Sequence, residues 1–373
     1  MGRLLLLVVA TLAIVACQPA APAPTPLTQQ LPEAIEYQHN VSISPFPYDL
    51  TVESVEQVGG LVSTAGNLYT VQLDNGVPWR DADAGNDFSS GVMEEWERHR
   101  SYIGADQQVY LAIAPLQDDR LSWSTGFDGG QAPEWATWES IDLERLRTAY
   151  LNYVNRAIEY FQPTFLNIGV EAGDLAHNDP QKWETLAEVL ADSYQELKSA
   201  HPGLTIGVSW SLPLLMLPAV LEESTTLIEV LDYVGISFYP YLDQFYSRLG
   251  GVDLPQQPNQ WREPYAWLSA NIDKPLAICE TGYSSVPVQL EEFDLDIGGD
   301  PDTQSLYVQE LSVITAQDDY LFTVFFLAVD YGALTRELEL PAMELWQYTG
   351  FFDEDLVPKP AWDAYIRFWL GQA

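Results

Sequence analysis

Basic residues are scarce in this chain. Its 373 residues include 16 Lys and Arg against 54 Asp and Glu, which gives a formal net charge of -38. Nucleic acids and anionic membrane surfaces bind proteins through basic patches, so this composition argues against both as partners. No acidic block is long enough to indicate a disordered tail, and a solvated acidic surface is the simpler explanation of the charge.

Cysteine is rarer still. The chain has two cysteines, Cys17 and Cys279, and four histidines that are scattered along it. No Cys and His residues therefore stand at the spacing of metal ligands. We expect no structural zinc, no other metal and no cofactor.

Long apolar runs are absent apart from one near the start, from Leu4 to Val15, which follows a single Arg and precedes Cys17. It is too short to span a bilayer comfortably and has the pattern of an export signal. The segment IVAC (14–17) resembles the bacterial lipoprotein signal, in which the cysteine is lipidated. An ordinary secretory peptide cut nearby is the alternative.

These features divide the chain into three parts. We assign residues 1–17 to a lipoprotein signal peptide with lipidated Cys17, and the Pro- and Ala-rich residues 18–36 to an extended tether. Residues 37–373 form the folded domain, since 47% hydrophobic content suffices for one large core. We expect a monomer that is exported and anchored to the extracytoplasmic face of the cell membrane by its lipid.

Short apolar segments alternate with longer helical patterns from residue 37 onward, which is typical of β/α units on a parallel sheet. Eight strands are predicted: NVSISP, LYTVQLD, VYLAIAP, TFLNIGVE, TIGVSW, YVGISFY, PLAICE and FTVFFLAV. Eight such units predict a single (β/α)8 TIM barrel of the α/β class. An open doubly wound sheet would have similar strands, but no Gly-rich phosphate loop follows the first one.

Alternation of side chains predicts which residues line the barrel. In the fourth strand it places Gly169 on the side of Glu171, and Val170 on the helix side. In the seventh it places Cys279 toward the helices, opposite Glu280. Small, polar inward-facing residues near the strand ends would leave room for a polar ligand at the mouth.

Glutamates end two of the predicted strands, Glu171 the fourth and Glu280 the seventh. Because all strands of a parallel barrel end at the same rim, both carboxylates should lie over one cavity. Cleavage of a glycosidic bond requires such a pair: one carboxyl group protonates the leaving oxygen, and the other attacks the anomeric carbon or activates water. For either glutamate alone, a salt bridge or helix cap is the alternative.

Three segments carry a resemblance to a known group of enzymes: DYVGISFYPYL, KPLAICETGYSS and the ending GFFDEDLVPKPAWDAYIRFW. With them, residues 37 to 373 resemble the glycoside hydrolases of clan A, retaining enzymes on (β/α)8 barrels. Within the clan the chain looks most like family 53, the endo-β-1,4-galactanases.

The resemblance implies roles for three residues. Glu171 would be the general acid/base, Glu280 the nucleophile, and Tyr239 the tyrosine that hydrogen-bonds the nucleophile. The reaction would be a double displacement with the carboxyl groups about 5 to 5.5 Å apart. Glu171 would carry a proton in the free enzyme, which its surroundings and the charge of Glu280 would favour.

Two features depart from the clan's pattern. Val170 stands before the acid/base where the clan usually has an Asn that contacts the sugar 2-hydroxyl. The end of the eighth strand has Phe325, Phe326 and Tyr331 where the clan usually has Trp, and Asp330 is a candidate to bind sugar hydroxyls there.

Aromatic residues are frequent in the segment after the third strand, LSWSTGFDGGQAPEWATW. Such rings either stack on sugar faces or pack the loop down. Arg80, which follows the second strand, is expected at the same rim and is suited to orient a carboxylate or bind a hydroxyl. With Asp330, the candidates for substrate binding are Asp74, Trp79, Arg80, Trp123, Trp135 and Trp210.

We therefore expect a retaining, endo-acting β-glycosidase that binds and hydrolyses a polysaccharide, with β-1,4-galactan the first candidate. A non-catalytic glycan-binding lipoprotein on a degenerate barrel is the alternative, motivated by Val170 and the missing Trp. A barrel lyase or phosphate-dependent isomerase is disfavoured, because the chain has only four Lys and no phosphate loop.

Overall fold

The computed structural model describes residues 26–31, 35, 37, 39–291, 294–339 and 341–371. The predicted signal peptide, with Cys17, lies outside the described residues. Of the predicted tether, only residues 26–31 and residue 35 are described. None of the helices within the described ranges is long and apolar enough to cross a membrane.

Eight parallel strands form one sheet whose order around the barrel follows the chain. They are β1 (Val41–Ile43), β2 (Leu68–Leu73), β3 (Gln108–Ile113), β4 (Phe165–Asn167), β5 (Thr205–Ser211), β6 (Tyr233–Phe238), β7 (Leu276–Thr281) and, as the eighth barrel strand, β10 (Thr323–Phe325). The Thr70 hydroxyl donates to Ser42 Oγ (3.0 Å) where β1 and β2 meet. The predicted (β/α)8 barrel is confirmed, and each of the eight predicted strand segments overlaps a barrel strand.

Helices surround the strands. They are α1 (Val52–Val62), α2 (Trp79–Ala84), α3 (Ser90–Tyr102), α4 (Leu143–Phe161), α5 (Leu175–Asn178), α6 (Pro180–Ala200), α7 (Leu212–Leu215), α8 (Pro218–Val230), α9 (Asp243–Arg248), α10 (Arg262–Asn271), α11 (Pro301–Gln317), α12 (Gly332–Leu338) and α13 (Pro360–Phe368). A short antiparallel hairpin, β8 (Val288–Leu290) and β9 (Leu295–Ile297), lies between β7 and α11.

Aspartate followed by proline starts two of the long helices. The Asp179 carboxylate accepts the N–H of Lys182 (3.2 Å) at the start of α6. The Asp300 carboxylate accepts that of Thr303 (2.9 Å) at the start of α11. An aspartate cap satisfies a free N–H of the first turn, and proline at the first helical position needs no hydrogen-bond acceptor for its nitrogen. Both helix starts therefore have a local signal in the sequence.

The core has two layers. The larger one packs the helices against the outer face of the sheet. The smaller one fills the barrel interior with Leu68, Tyr110, Ala112, Ala114, Phe165, Val170, Tyr233, Ala277, Cys279, Phe322 and Val324. Since Cys279 and Val170 belong to the interior layer, the prediction that both face the helices is wrong.

Irregular backbone explains these two errors. In β7 the pairing with β6 skips Cys279: Ile236 is opposite Ile278, but Ser237 is opposite Glu280. A bulge of this kind turns successive residues to the same side. After β4, a Cβ placed on Gly169 would lie 3.2 Å from a methyl carbon of Val208 in the outer layer. Gly169 therefore faces the outer layer, and the prediction that it faces inward with Glu171 is wrong.

The described part of the predicted tether packs on the barrel. Residues Leu27–Gln30 form a 3-10 turn, and Leu27 is fully buried. Its N–H donates to Gln57 Oε1 on α1 (3.2 Å). These residues therefore belong to the folded domain.

A buried lysine connects the loops after the last two barrel strands. Lys359 Nζ donates to Asp330 Oδ1 (2.6 Å), to Ser285 Oγ (2.8 Å) and to the Tyr348 carbonyl (3.3 Å). The side chains of Asp330 and Lys359 are 5% and 10% exposed. Removing one partner of a buried ion pair leaves an uncompensated charge, so each of these two residues needs the other.

We predict that Lys359→Ala lowers the free energy of unfolding by about 3 kcal/mol, because it leaves Asp330 buried without its cation. Urea denaturation would measure the change. The control is Arg336→Ala, which breaks the exposed pair with Glu354 (2.6 Å) and should cost less than about 1 kcal/mol. Equal effects in the two variants would contradict the prediction.

Candidate active site

The mouth of the barrel brings Glu171 and Glu280 together. Both side chains are half-buried. Burial, and next the negative charge of Glu171, raise the pKa of Glu280 to about 8, while a hydrogen bond from Tyr239 and the charge of Arg120 act in the opposite direction. Each carboxylate is therefore within electrostatic reach of the other, as their places at the ends of two barrel strands predicted.

Glu171 is held by its backbone. Its φ angle of 46° lies in the left-handed region, which costs a residue with a side chain about 1–2 kcal/mol. Its N–H donates to Ser209 Oγ on β5 (2.8 Å), and the same oxygen accepts a bond from the Asn167 side chain (2.9 Å). This network, inside the barrel, stabilises the turn that places Glu171 at the mouth.

Glu280 owes its orientation to the bulge in β7, which turns its side chain into the mouth directly after the inward-facing Cys279. The Tyr239 hydroxyl donates to Glu280 Oε1. Tyr239 is buried, with ring contacts to Tyr241, Phe326 and Trp346. The hydrogen bond that the family resemblance implied is therefore present.

Arg120 is a residue of the mouth that sequence reasoning missed. Its Nη2 and Nε donate to Glu171 Oε2 at 2.7 and 3.2 Å, and its Nη1 donates to the Gln117 carbonyl (3.0 Å). Such an ion pair is the arrangement of an ionised carboxylate. The resemblance implied instead that Glu171 holds a proton. The scarcity of cations in the sequence was the one signal that could have drawn attention to Arg120.

Two aspartates add negative charge to the mouth. Asp174 is buried and accepts hydrogen bonds from the Ser211 N–H (2.7 Å) and hydroxyl (2.5 Å), and burial together with the charge of Glu171 raises its pKa to about 7. Asp74 follows β2. Removal of its carboxyl group from water, and next the negative charge of Asp118, raise its pKa to about 6. Of these two, Asp74 is a site residue predicted from the sequence and Asp174 is not.

Aromatic rings form the other side of the mouth. Phe326 contacts Phe46 (5.7 Å), Tyr331 (5.7 Å) and Trp346 (6.4 Å) between ring centroids. Trp346 is half-buried, and its indole N–H is buried with no hydrogen-bond partner. It supplies a tryptophan beside β10 from a later loop. No local signal in the sequence predicts Trp346 at the mouth, because α12 separates it from β10 along the chain.

Three of the tryptophans predicted to bind substrate are buried. Trp79 and Trp123 pack against each other (6.5 Å between centroids), and Trp79 Nε1 donates to the Ser124 carbonyl (2.8 Å). Trp210 packs against Trp183 and donates to Ser224 Oγ (3.1 Å). With exposed fractions of 0% to 3%, these rings have no free face for a sugar. The expectation that they bind substrate is corrected: they pack the barrel and its loops.

Three further candidates for substrate binding remain: Trp135, Arg80 and Asp330. The Arg145 guanidinium lies 4.5 Å from the centroid of Trp135 and covers one face of that ring. Arg80 is exposed at the start of α2, and the ion pairs among the described residues do not include it. Asp330 is bound to Lys359, so its carboxylate is not available to sugar hydroxyls, contrary to expectation.

A pocket of about 230 Å³ adjoins the mouth between α1, β2 and α3 and shares Phe46 and Asp74 with it. Burial lowers the pKa of His99, which lines this pocket, to about 3, so the imidazole is neutral. Among the described residues, no group of three or more His, Cys, Asp and Glu side chains is arranged to hold a metal ion.

Comparisons with known proteins show the fold. No family model and no curated protein matches the sequence. Among solved structures, the chain is similar to an exo-β-1,4-mannosidase from Opitutaceae bacterium strain TAV5 (11% identity, TM-score 0.61, 90% of this chain) and spans 59% of that protein's length.

Two further structures are similar along most of their length. One is a mutant of xylanase A of P. fluorescens subsp. cellulosa in complex with xylopentaose (12% identity, TM-score 0.61), with 90% of this chain and 98% of that chain covered. The other is a GH5_18 protein of Streptomyces cattleya in complex with Manβ1-4GlcNAc (12% identity, TM-score 0.59), with 88% and 80% covered. At such low identity these likenesses establish a shared (β/α)8 barrel.

We predict that Glu280→Gln raises the melting temperature more at pH 8.5 than at pH 5. The pKa of Glu280 is raised by folding from 4.5 to about 8, so the charge that appears between these values destabilises the folded protein. Differential scanning calorimetry at the two pH values measures the effect. The control is Glu196→Gln, on the exposed face of α6. A melting-temperature change for Glu280→Gln that is the same at both pH values would disprove the prediction.

Proposed function

We propose that this protein is a retaining glycosidase that hydrolyses a β-linked polysaccharide. The observation that carries the proposal is the meeting of Glu171 and Glu280, from β4 and β7, in one mouth where Tyr239 hydrogen-bonds Glu280. Retaining hydrolysis needs two carboxyl groups, one of which attacks while the other protonates the leaving oxygen.

In the proposed reaction, ionised Glu280 attacks the anomeric carbon while Glu171 gives its proton to the leaving oxygen. A glycosyl ester on Glu280 results. Glu171, now ionised, takes a proton from water as the water attacks the same carbon, which frees Glu280 and restores the starting protonation of both residues. Tyr239 holds the Glu280 carboxylate in position for attack.

The two sides of the mouth suit a neutral sugar chain. The half-buried rings of Phe326 and Trp346 can cover the apolar face of a pyranose, and carboxylates such as Asp74 can accept bonds from hydroxyls. The mannosidase, xylanase and Manβ1-4GlcNAc structures support a β-1,4-linked substrate. Within that class, β-1,4-galactan cleaved internally is the first candidate, from the resemblance to family 53.

We further propose that the protein acts as a monomer outside the cytoplasm, anchored by a lipid on Cys17. The support for this location is the apolar run that ends in IVAC.

A non-catalytic glycan-binding protein is the second candidate, and two observations favour it. Arg120 pairs with Glu171, the residue that must donate a proton. In addition, Val170 is buried inside the barrel, so it makes no sugar contact of the kind that the clan's Asn makes.

The proposed function predicts that Glu171→Gln and Glu280→Gln each lower kcat/KM by about 10³-fold or more, since each removes a group that acts in the transition state. The measurement uses a panel of β-linked polysaccharides, with galactan, xylan and mannan first, and reducing-sugar release. Proton NMR of the first products should show a retained β-anomer. Binding without hydrolysis by the unsubstituted protein would establish the second candidate.

We also predict that Trp346→Ala weakens the binding of an oligosaccharide by about 1–2 kcal/mol, through the loss of one stacking surface. Isothermal titration calorimetry measures this change. The ligand is an oligosaccharide fragment of whichever polysaccharide in the panel binds most tightly. The matched control is Trp267→Ala, which removes a half-buried tryptophan from α10, outside the mouth. Equal affinity of the two variants would exclude Trp346 from the binding surface.

A further inference from the structure

The turn that carries Arg120 is built to present it to Glu171. Arg120 has a φ angle of 52°, in the left-handed region, as Glu171 does. The Asp119 carboxylate accepts the N–H groups of Leu121 (2.8 Å) and Ser122 (3.0 Å), and so fixes the turn. Non-glycine residues in this region are uncommon and persist where the surrounding structure holds them, often at functional sites.

The Arg120 guanidinium also has a second anion beside it. Its Nη1 lies 3.9 Å from Asp118 Oδ1, and the side chain of Asp118 is fully exposed. A movement of the guanidinium toward Asp118 would exchange one ion pair for another. Arg120 thus has two charged partners, one in the mouth and one at its outer edge.

The charges of the mouth allow one proton to be shared between the two glutamates. Two nearby carboxylates resist being ionised together, so the pair holds a proton whose position depends on the neighbouring charges. The groups that face the pair from the surrounding strands and loops are Asp74, Asp118, Arg120, Asp174, Tyr239, Tyr241, Tyr246, Cys279 and Tyr331. Arg120 is the cation among them, and it bonds directly to Glu171.

We propose that Arg120 is a positioning residue: its ion pair with Glu171 keeps the shared proton on Glu280 in the resting protein, and cleavage requires Arg120 to release Glu171. This inference rests on the proposed glycosidase function. On release, the O–H bond of Glu280 breaks and an O–H bond forms on Glu171, so the total charge of the two residues is unchanged. Glu280 then becomes the nucleophile and Glu171 the acid.

The ion pair therefore separates a resting state from a reactive one. In the resting state Glu280 is protonated and cannot attack, and Glu171 is ionised and cannot donate. Release of Arg120 reverses both conditions at once. Substrate that occupies the mouth and displaces the guanidinium toward Asp118 would produce the reactive state only when sugar is bound.

The test compares Arg120→Gln and Arg120→Lys with the unsubstituted protein. Carboxyl carbons are labelled with ¹³C in all glutamates, and the Glu171 and Glu280 signals are assigned by their loss in the corresponding Gln variants. We expect the Glu280 signal to titrate about 1 to 3 pH units lower in Arg120→Gln, because the proton then resides on Glu171. Arg120→Lys retains the charge and should keep the Glu280 midpoint near the original value.

The matched control is Arg262→Gln. Arg262 donates from Nε (3.0 Å) and Nη2 (2.7 Å) to Glu310 Oε2, the same geometry as the Arg120 pair, but outside the mouth. This variant should leave the Glu280 titration unchanged. Circular dichroism of each variant verifies that it is folded, and Arg120→Lys provides the comparison if Arg120→Gln does not fold.

Kinetics add a second measurement on the polysaccharide that is cleaved. In Arg120→Gln, kcat/KM at pH 7 should rise and the basic limb of its pH profile should move upward by about 1 pH unit or more. Hydrolysis with an unchanged Glu280 titration in Arg120→Gln would overturn the role of Arg120 and leave the proposed function standing. A shifted titration without hydrolysis by any variant would overturn the proposed function, and with it the requirement for release.

Discussion

Repulsion between two carboxylates over one half-buried cavity governs the mouth of this barrel. Each carboxyl group is partly removed from water and is repelled by the charge of the other. Glu171 and Glu280 therefore cannot both be ionised there unless neighbouring groups stabilise the negative charge. Arg120 compensates on one side, and the Tyr239 hydroxyl bonds the carboxyl group on the other. The buried Asp174 increases the negative charge, and its bonds to Ser211 hold it in place. The local backbone is arranged around this balance, with a left-handed residue at Glu171 and a bulge before Glu280.

Sequence alone predicted the barrel because its signals are local. The eight strand segments alternate with helical patterns, and Asp-Pro pairs mark two helix starts, so each element could be recognised within its own residues. Parallel closure then placed the ends of all strands at one rim, which brought Glu171 and Glu280 together without knowledge of any side-chain contact.

The errors arose where a distant neighbour decides the outcome. Alternation assigned Cys279 to the helix side, but the register between β6 and β7 shifts there and reverses its direction. A tryptophan that follows a barrel strand is equally suited to packing and to exposure; Trp79, the first residue of α2, is buried, and the Ser124 carbonyl accepts its indole N–H. Asp330 was placed at the correct end of the barrel, but its partner, Lys359, is 29 positions later. Arg120 shows no local pattern, since its importance comes from the contact with Glu171.

The packing of Leu27 on α1 also determines where the first described residues meet the barrel. Helix α1 runs from the rim that carries the carboxylates toward the opposite end of the barrel. Residues from this part of the chain contact the middle of α1 and the residues after it: the Leu27 N–H donates to Gln57 Oε1 (3.2 Å), and the Tyr37 hydroxyl donates to the Thr64 carbonyl (3.0 Å). These residues thus meet the barrel away from the rim that carries the carboxylates. A ligand of the proposed kind can therefore lie across the rim with the two carboxylates without meeting these residues.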